Sequence, residues 1–220
     1  MTIATTLLTR LRNDILTGAI GPGEKLNLDR VRTSYGVSLS PLREALSQLV
    51  AERLVEANEN RGFWTAQVSR ENVEEIFWLR GTLEVMALER SIALGDDSWE
   101  ADIVSTLHRL EKLSYLKSRT QGVPNEEWEL WHRRFHNALI GASQAPVLVQ
   151  FCNSLHDHAD RYRRNFLKDI HQSRDSHQEH REISAATLNR DTARACSLLR
   201  EHLARTGADI LAAMPPAPPG

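Results

Sequence analysis

The stretch YGVSLSPLREALSQLVAERL, Tyr35 to Leu54, constrains this chain more than any other. Ser40 can cap a helix and Pro41 can occupy its first position, where a missing N–H costs nothing. Beyond that start, Leu42, Ala45, Leu46, Leu49 and Val50 recur at helical spacing, which sets one side to pack and leaves Ser38, Leu39, Ser40, Arg43 and Ser47 outward. Small hydroxyls and one guanidinium near the N-terminal end of a short helix suit the DNA major groove, where they reach base edges or phosphates. The same pattern also describes a solvated surface helix, in which Arg43 pairs with Glu44 or with an acid on a neighbouring turn.

The segments on either side decide how that helix is used. Ile3 to Ile20 carries a stripe of Leu7, Leu8, Leu11, Ile15 and Leu16 and ends at Gly18 and the turn GPGEKL. Asn27 or Asp29 starts a second, short helix with Leu28 and Val31 inward, stopped by Gly36. After Leu54, Asn60-Arg61-Gly62 separates two short segments, the second alternating as Phe63, Thr65 and Gln67 against Trp64, Ala66 and Val68, a small hairpin or wing. Residues 1–68 therefore form one winged helix-turn-helix unit. From Ser69 the pattern is helical only, with segments from Ser69 to about Leu94, Asp97 to about Lys117, Asn125 to about Ala142, Pro146 to about Ile170, Ser173 to about Asn189 and Asp191 to about Met214. With no further strand signal, residues 69–214 are expected to form a six-helix antiparallel bundle, and 215–220, PPAPPG, a disordered tail. The fold class is mainly α.

A formal charge of -2 over 220 residues gives no whole-chain sign of nucleic-acid binding, although an acidic remainder can mask a small basic face. No apolar run is long enough for a bilayer span, and the N-terminal residues lack the basic-then-apolar order of a secretory signal, so a cytoplasmic protein with no membrane partner is expected. Cys152 and Cys196 have no paired-ligand spacing and are expected to be reduced core thiols.

The runs ILTGAIGPGEKL, YGVSLSPLREAL and LVAERLVEANENRGFWTAQV closely resemble the winged helix-turn-helix of GntR-family transcriptional regulators, without a gap from Ile15 to Val68. The runs IFWLRGTLE, WHRRFHNALIGAS and EHREISAATLNRDTARACSLLREHL resemble the FCD ligand-binding domain of the FadR-type branch. The resemblance implies a homodimeric, effector-responsive regulator that binds a short palindromic operator in double-stranded DNA. It carries DNA contact to Ser38, Leu39, Ser40 and Arg43, and to Arg61 and Gly62 at the wing tip, with Arg30 or Arg32 on the phosphate backbone. Leu39 stands where many members carry Arg. An apolar side chain there cannot make a two-point contact to guanine but can touch a thymine methyl.

All nine histidines lie at or after His108. In WELWHRRFHNAL, Trp128, Trp131, His132, Phe135, His136 and Leu139 face one way, which places two imidazoles one turn apart on the inward side. His180 lies near the inward Ile183 and Thr187, and His202 continues the stripe of Ala195, Leu198 and Leu199. Convergence of these four would make a nitrogen-rich site for a divalent metal, zinc or nickel. The FCD resemblance matches His136, His180 and His202 to its metal histidines and places His132 where an Asp is usual. His132 either ligates, leaving the site one unit more positive and favouring an anionic effector, or swings away and leaves three ligands plus water.

Arg80 and Glu84 fall on the buried stripe of Val73, Ile76, Phe77, Leu83 and Ala87. A buried Arg needs an acceptor, supplied either by Glu84 one turn along or by the carboxylate of a small organic acid whose other oxygens reach the metal. Asn153, Arg161 and Tyr162 are further candidates for that cavity. His156, His158, His171 and His177 are assigned to surface or core, with His158 on the inward side beside Phe151, Leu155 and Tyr162.

These residues together describe a metabolite-responsive regulator, a repressor in the first instance, with a metal-assisted carboxylate site. A regulator that senses the metal itself is the alternative. A histidine-metal hydrolase is disfavoured, because Arg133 follows His132 where a helical zinc protease places its Glu base.

Overall fold

The computed structural model describes residues 3–58, 61–118, 123–167 and 176–215. The apolar stripe of the first segment buries Leu7, Leu8, Leu11, Ile15 and Leu16 along α1 (Ile3–Leu16). The GPGE turn leads into β1 (Lys25–Leu26). The Asn27 Oδ1 then accepts the backbone N–H groups of Asp29 at 3.0 Å and Arg30 at 3.1 Å, which starts α2 (Leu28–Tyr35). Gly36 ends it at φ 66°, a left-handed position that suits glycine.

Helix α3 (Leu39–Ala51) begins earlier than the expected Ser40 cap, since Ser38 takes the extended N-cap position and Ser40 and Pro41 lie within the first turn. Pro41 is tolerated there because the first-turn N–H groups have no acceptor inside the helix. Leu42, Leu46 and Leu49 are fully buried against α1, together with Leu11, Ile15, Leu54 and Val55. Strands β2 (Val55–Asn58) and β3 (Gly62–Thr65) pair antiparallel from Val55↔Thr65 to Asn58↔Gly62, and β1 joins the other edge of β3. Thr65, wholly buried, ties the wing to the turn: its hydroxyl donates to the Gly21 carbonyl and accepts the Glu24 N–H at 2.8 Å. Asn60, expected at the wing tip, lies outside the described residues.

The chain divides into two units, residues 1–69 with 160–165, and residues 70–159 with 166–220. The second contains six helices among the described residues: α4 (Arg70–Leu94), α5 (Asp97–Glu111), α6 (Glu126–Ile140), α7 (Pro146–Phe166), α8 (Ser176–Leu188) and α9 (Thr192–Ala213), with the last turns of α7 counted in the first unit. Helix α4 packs on α9 and α6, α5 on α6 and α8, and α8 on α9. Asp96, Asn125 and Asp191 cap α5, α6 and α9 through their side chains, as short polar residues at helix starts do.

A second expectation changes. Helix α5 ends at Glu111 and not near Lys117, and two short strands, β4 (Leu116–Ser118) and β5 (Val123–Pro124), follow and pair antiparallel. Long-range contacts set this break. Tyr115 packs edge-on against Trp128 at 4.9 Å, its carbonyl accepts the Asn125 N–H at 2.8 Å, and the Asn125 amide donates to the Ser114 carbonyl at 2.9 Å. Residues 216–220 of the expected tail, and Ile170, His171 and Ser173, lie outside the described residues.

Candidate functional site

In the first unit the inner side of α3 is packed and its outer side is open. Ser38, Leu39, Ser40 and Arg43 are all exposed, Leu39 at 42 % despite its apolar side chain. No ion pair joins Arg43 to an acid among the described residues, so its guanidinium is available to a phosphate or base edge. On α2, Arg30 is exposed and Arg32 pairs with Asp29 at 2.9 Å, both groups in solvent, a contact of small energetic weight. Arg61 is exposed at the wing turn, and Gly62 beside it holds φ 108°. Lys25 lies 5.2 Å from the Trp64 ring on the sheet.

In the second unit the four expected histidines converge. His132 and His136 on α6, His180 on α8 and His202 on α9 each offer a ring nitrogen, and these nitrogens all lie within 4.8 Å of one another. None of the four is more than 5 % exposed. The rings of His180 and His202 are centred 4.7 Å apart, and those of His132 and His136 4.6 Å apart. Such a set fits a borderline divalent cation: neutral imidazoles are its preferred nitrogen donors, and four buried imidazoles this close repel one another when protonated. No carboxylate is among the four, so the donor set leaves the full charge of a bound ion in place.

Beside the cluster lies a buried polar chain. Arg80 Nε donates to Glu84 Oε1 at 2.6 Å, and the other Glu84 oxygen lies 3.5 Å from His136 Nδ1. The Arg80 NH2 group lies 3.3 Å from Nδ1 of His156. Burial pushes the Glu84 carboxyl up, but the Arg80 charge and His136 outweigh it and hold it at about 2, from an ordinary 4.5. The pair is almost wholly enclosed, with side chains 1 % and 2 % exposed.

His156 is the residue that the sequence pattern assigned to surface or core. Helix α7 turns Cys152, His156 and Ala159 inward, whereas Phe151, expected on the inward side, is 59 % exposed. The inward face suggested by Phe151, Leu155 and Tyr162 is split: Tyr162 is buried, Leu155 is half-buried and Phe151 faces solvent. Asn153 falls beside that inward face; its carbonyl accepts from Arg133 at 3.2 Å, and no hydrogen bond joins its side chain to the histidines or Arg80 among the described residues. Arg161 is in the first unit, where it donates to the Ala66 carbonyl, and burial lowers its pKa. Tyr162, in the same unit, accepts the Ser69 N–H at 3.4 Å. The structure therefore gathers Arg80 and the four histidines and leaves Asn153 and Arg161 apart. Glu179, the residue before His180 in the first turn of α8, was not anticipated: its Oε2 lies 2.8 Å from His202 Nδ1.

A three-helix unit with a β wing and an open helix face, followed by a helical unit with a buried cluster of histidines, defines a DNA-binding protein of the winged helix-turn-helix class. Residues 3–64 match the family described as bacterial regulatory proteins, gntR family, and residues 75–205 match the FCD domain. The chain is 39 % identical over 197 residues to the HTH-type transcriptional repressor GlaR of Escherichia coli, spanning 88 % of this chain and 89 % of that one. It is 37 % identical over 197 residues to the HTH-type transcriptional regulator BphR of Paraburkholderia xenovorans, spanning 88 % and 79 %. A crystal structure of a GntR-type regulator from Rhodococcus sp. RHA1 superposes with a TM-score of 0.78 at 22 % identity, over 96 % of this chain and 99 % of that one, a likeness of fold. The chain belongs to the GntR family of transcriptional regulators, with an FCD domain. It is a DNA-binding regulator and not an enzyme. Among the described residues no helix is long and apolar enough to cross a membrane.

Proposed function

We propose that this chain is a repressor that binds a palindromic operator as a homodimer and responds to a small organic acid held beside a divalent metal. The observation that carries the reading is the convergence of four buried histidine nitrogens within 4.8 Å of one another, next to a buried Arg80. His132, His136, His180 and His202 hold the ion, zinc or nickel, which supplies a positive pole for an acid's oxygens. Arg80 completes the site as the partner of the carboxylate, to which a planar guanidinium offers two donors.

On the DNA side, Ser38, Ser40 and Arg43 reach base edges or phosphates, Leu39 reads a thymine methyl, Arg61 and Gly62 follow the backbone at the wing, and Arg30 and Arg32 contact phosphates. A dimer presents two such faces to half-sites about one helical turn, roughly 34 Å, apart. The face of α4 and α9 supports self-association: Trp78 is 67 % exposed beside a groove floored by Gly81, Ala204, Gly207 and Ala208, with Glu74 and Arg200 available for reciprocal pairing. The acid works by population shift, binding one arrangement of the dimer better than the other and so changing operator affinity by that difference.

Metal analysis of the purified chain, joined to a thermal-shift screen of small carboxylic acids, tests the site. One zinc or nickel per chain and stabilisation by particular acids are expected, and a metal-free chain indifferent to every acid refutes the assignment. A second reading, in which the ion itself is the effector, draws on one observation: the Arg80 guanidinium is already engaged by Glu84 and His156. Titrating metal against operator affinity, with and without acids, separates the two.

A further inference from the structure

We infer that Glu179 is a positioning residue that fixes the tautomer of a metal-binding imidazole, that of His202. The inference rests on the metal reading above.

A neutral imidazole keeps one lone pair, and the hydrogen bond made by one ring nitrogen decides which nitrogen that is. Glu179 Oε2 lies 2.8 Å from Nδ1 of His202. A carboxylate oxygen accepts, so Nδ1 carries the proton and Nε2 keeps its lone pair for the cluster. The Glu179 side chain is only 14 % exposed, and Arg205 NH1 donates to its other oxygen at 3.1 Å, so the carboxylate is held at both ends. A looser approach, beyond hydrogen-bond geometry, is made to the next ligand. Arg80 holds one oxygen of Glu84 at 2.6 Å, and the other lies 3.5 Å from Nδ1 of His136. The hydrogen-bonded chain is therefore Arg205–Glu179–His202, from α8 and α9, while Arg80–Glu84 from α4 only approaches His136 on α6.

The arrangement does two things. It points Nε2 of each imidazole away from its carboxylate, and it makes the ring a stronger donor by drawing on the Nδ1 proton. The arginine orients each carboxylate, and the Arg80 charge also holds Glu84 in its anionic form. The Glu179 chain is the cleaner one to test, because Arg80 and Glu84 also belong to the anion site and Glu179 does not touch it.

The experiment uses the full chain and zinc alone, competed against a chromophoric chelator, for the wild type, Glu179→Gln and Glu179→Leu. The expected loss of zinc affinity is about 10- to 100-fold in Glu179→Leu, with Glu179→Gln between, since the amide oxygen still accepts from Nδ1 but without charge. Nitrogen-15 NMR of the metal-free chain gives a second readout, with the His202 signals assigned by their disappearance in His202→Ala. His202 is expected to be in the Nδ1–H form in the wild type and mixed in Glu179→Leu. Zinc affinities of wild type and Glu179→Leu within twofold of one another, or an unchanged Nδ1–H tautomer in Glu179→Leu, overturn the inference. A fall in thermal stability alone, with tautomer and zinc affinity retained, also overturns it by showing that Glu179 is only structural. A wild type that takes no zinc refutes the metal reading instead, and the tautomer then still decides whether Glu179 orients His202. If Glu179→Leu does not fold, Glu179→Ala carries both measurements.

Discussion

Replacing Arg80 by Met is the perturbation whose size the structure sets most directly. Arg80 and Glu84 are 1 % and 2 % exposed and 2.6 Å apart. The depression of Glu84 from 4.5 to about 2, at about 1.4 kcal/mol per pH unit, corresponds to roughly 3 kcal/mol of net stabilisation of its charged form. Removing the guanidinium leaves burial unopposed by its main partner, so Arg80→Met is expected to cost about 3–5 kcal/mol at pH 7, the usual range for orphaning a buried charge. The sign with pH follows. In the wild type the Glu84 contribution is fully present above its ordinary value of 4.5 and is lost as pH falls toward about 2. In Arg80→Met burial works on the carboxyl without the Arg80 charge to oppose it, and stability is instead lost as pH rises above its ordinary value of 4.5. The double variant Arg80→Met with Glu84→Leu removes both charges and is expected to recover most of the loss, since well-packed apolar replacements of buried pairs are often neutral. Urea unfolding of the three variants at pH 7 and pH 5, followed by circular dichroism of the helical unit, reads all of this. A single variant within about 1 kcal/mol of the wild type at pH 7 refutes the reasoning, as does a double variant no more stable than the single.

Arg43→Ala is expected to weaken operator binding by about 1–3 kcal/mol, roughly 5- to 150-fold, in an anisotropy titration, while leaving the melting temperature unchanged because the side chain is exposed. Leu39→Arg is expected to move base preference toward guanine at one position of each half-site in a selection from random sequences. Gly207→Ala would place a methyl 2.9 Å from the Phe77 ring, and thermal melting should show about 1–3 kcal/mol of destabilisation, relieved by adding Phe77→Leu. Cys152 is buried and its thiol is pushed up to about 12, first by desolvation and then by Glu84, so it should resist alkylation at pH 8 until the chain is unfolded.

Much of this architecture could be read in the sequence because local and global signals agree. The stripe Leu42, Ala45, Leu46, Leu49 is the buried face of α3, Gly36 is the left-handed stop of α2, and His132 and His136 share a face simply because they are one turn apart. The misses have physical causes. Ser38 and Ser40 are the same residue type two positions apart, so propensity does not distinguish the cap, and it is the backbone that makes Ser38 the boundary. The break after Glu111 depends on Tyr115 meeting Trp128, a contact between residues distant in sequence. His156 lies in the core, one of its two expected places, but its contact with Arg80 was hidden because Phe151, an aromatic that marks the inward side by spacing, is exposed. Glu179 next to His180 looks like a solvated acid until α9 brings His202 against it.

The claim that ties the two units together is that the histidine and Arg80 site governs the grip of α3 on DNA. It is tested by an anisotropy titration of a labelled palindromic fragment from the chain's own promoter, with metal-loaded wild type and His136→Ala, each with and without the acids that stabilise the wild type. The expected result is specific, salt-sensitive binding by both proteins and an acid-dependent change of affinity in the wild type alone. Identical curves under every condition, or no fragment bound in preference to random DNA, would contradict the account.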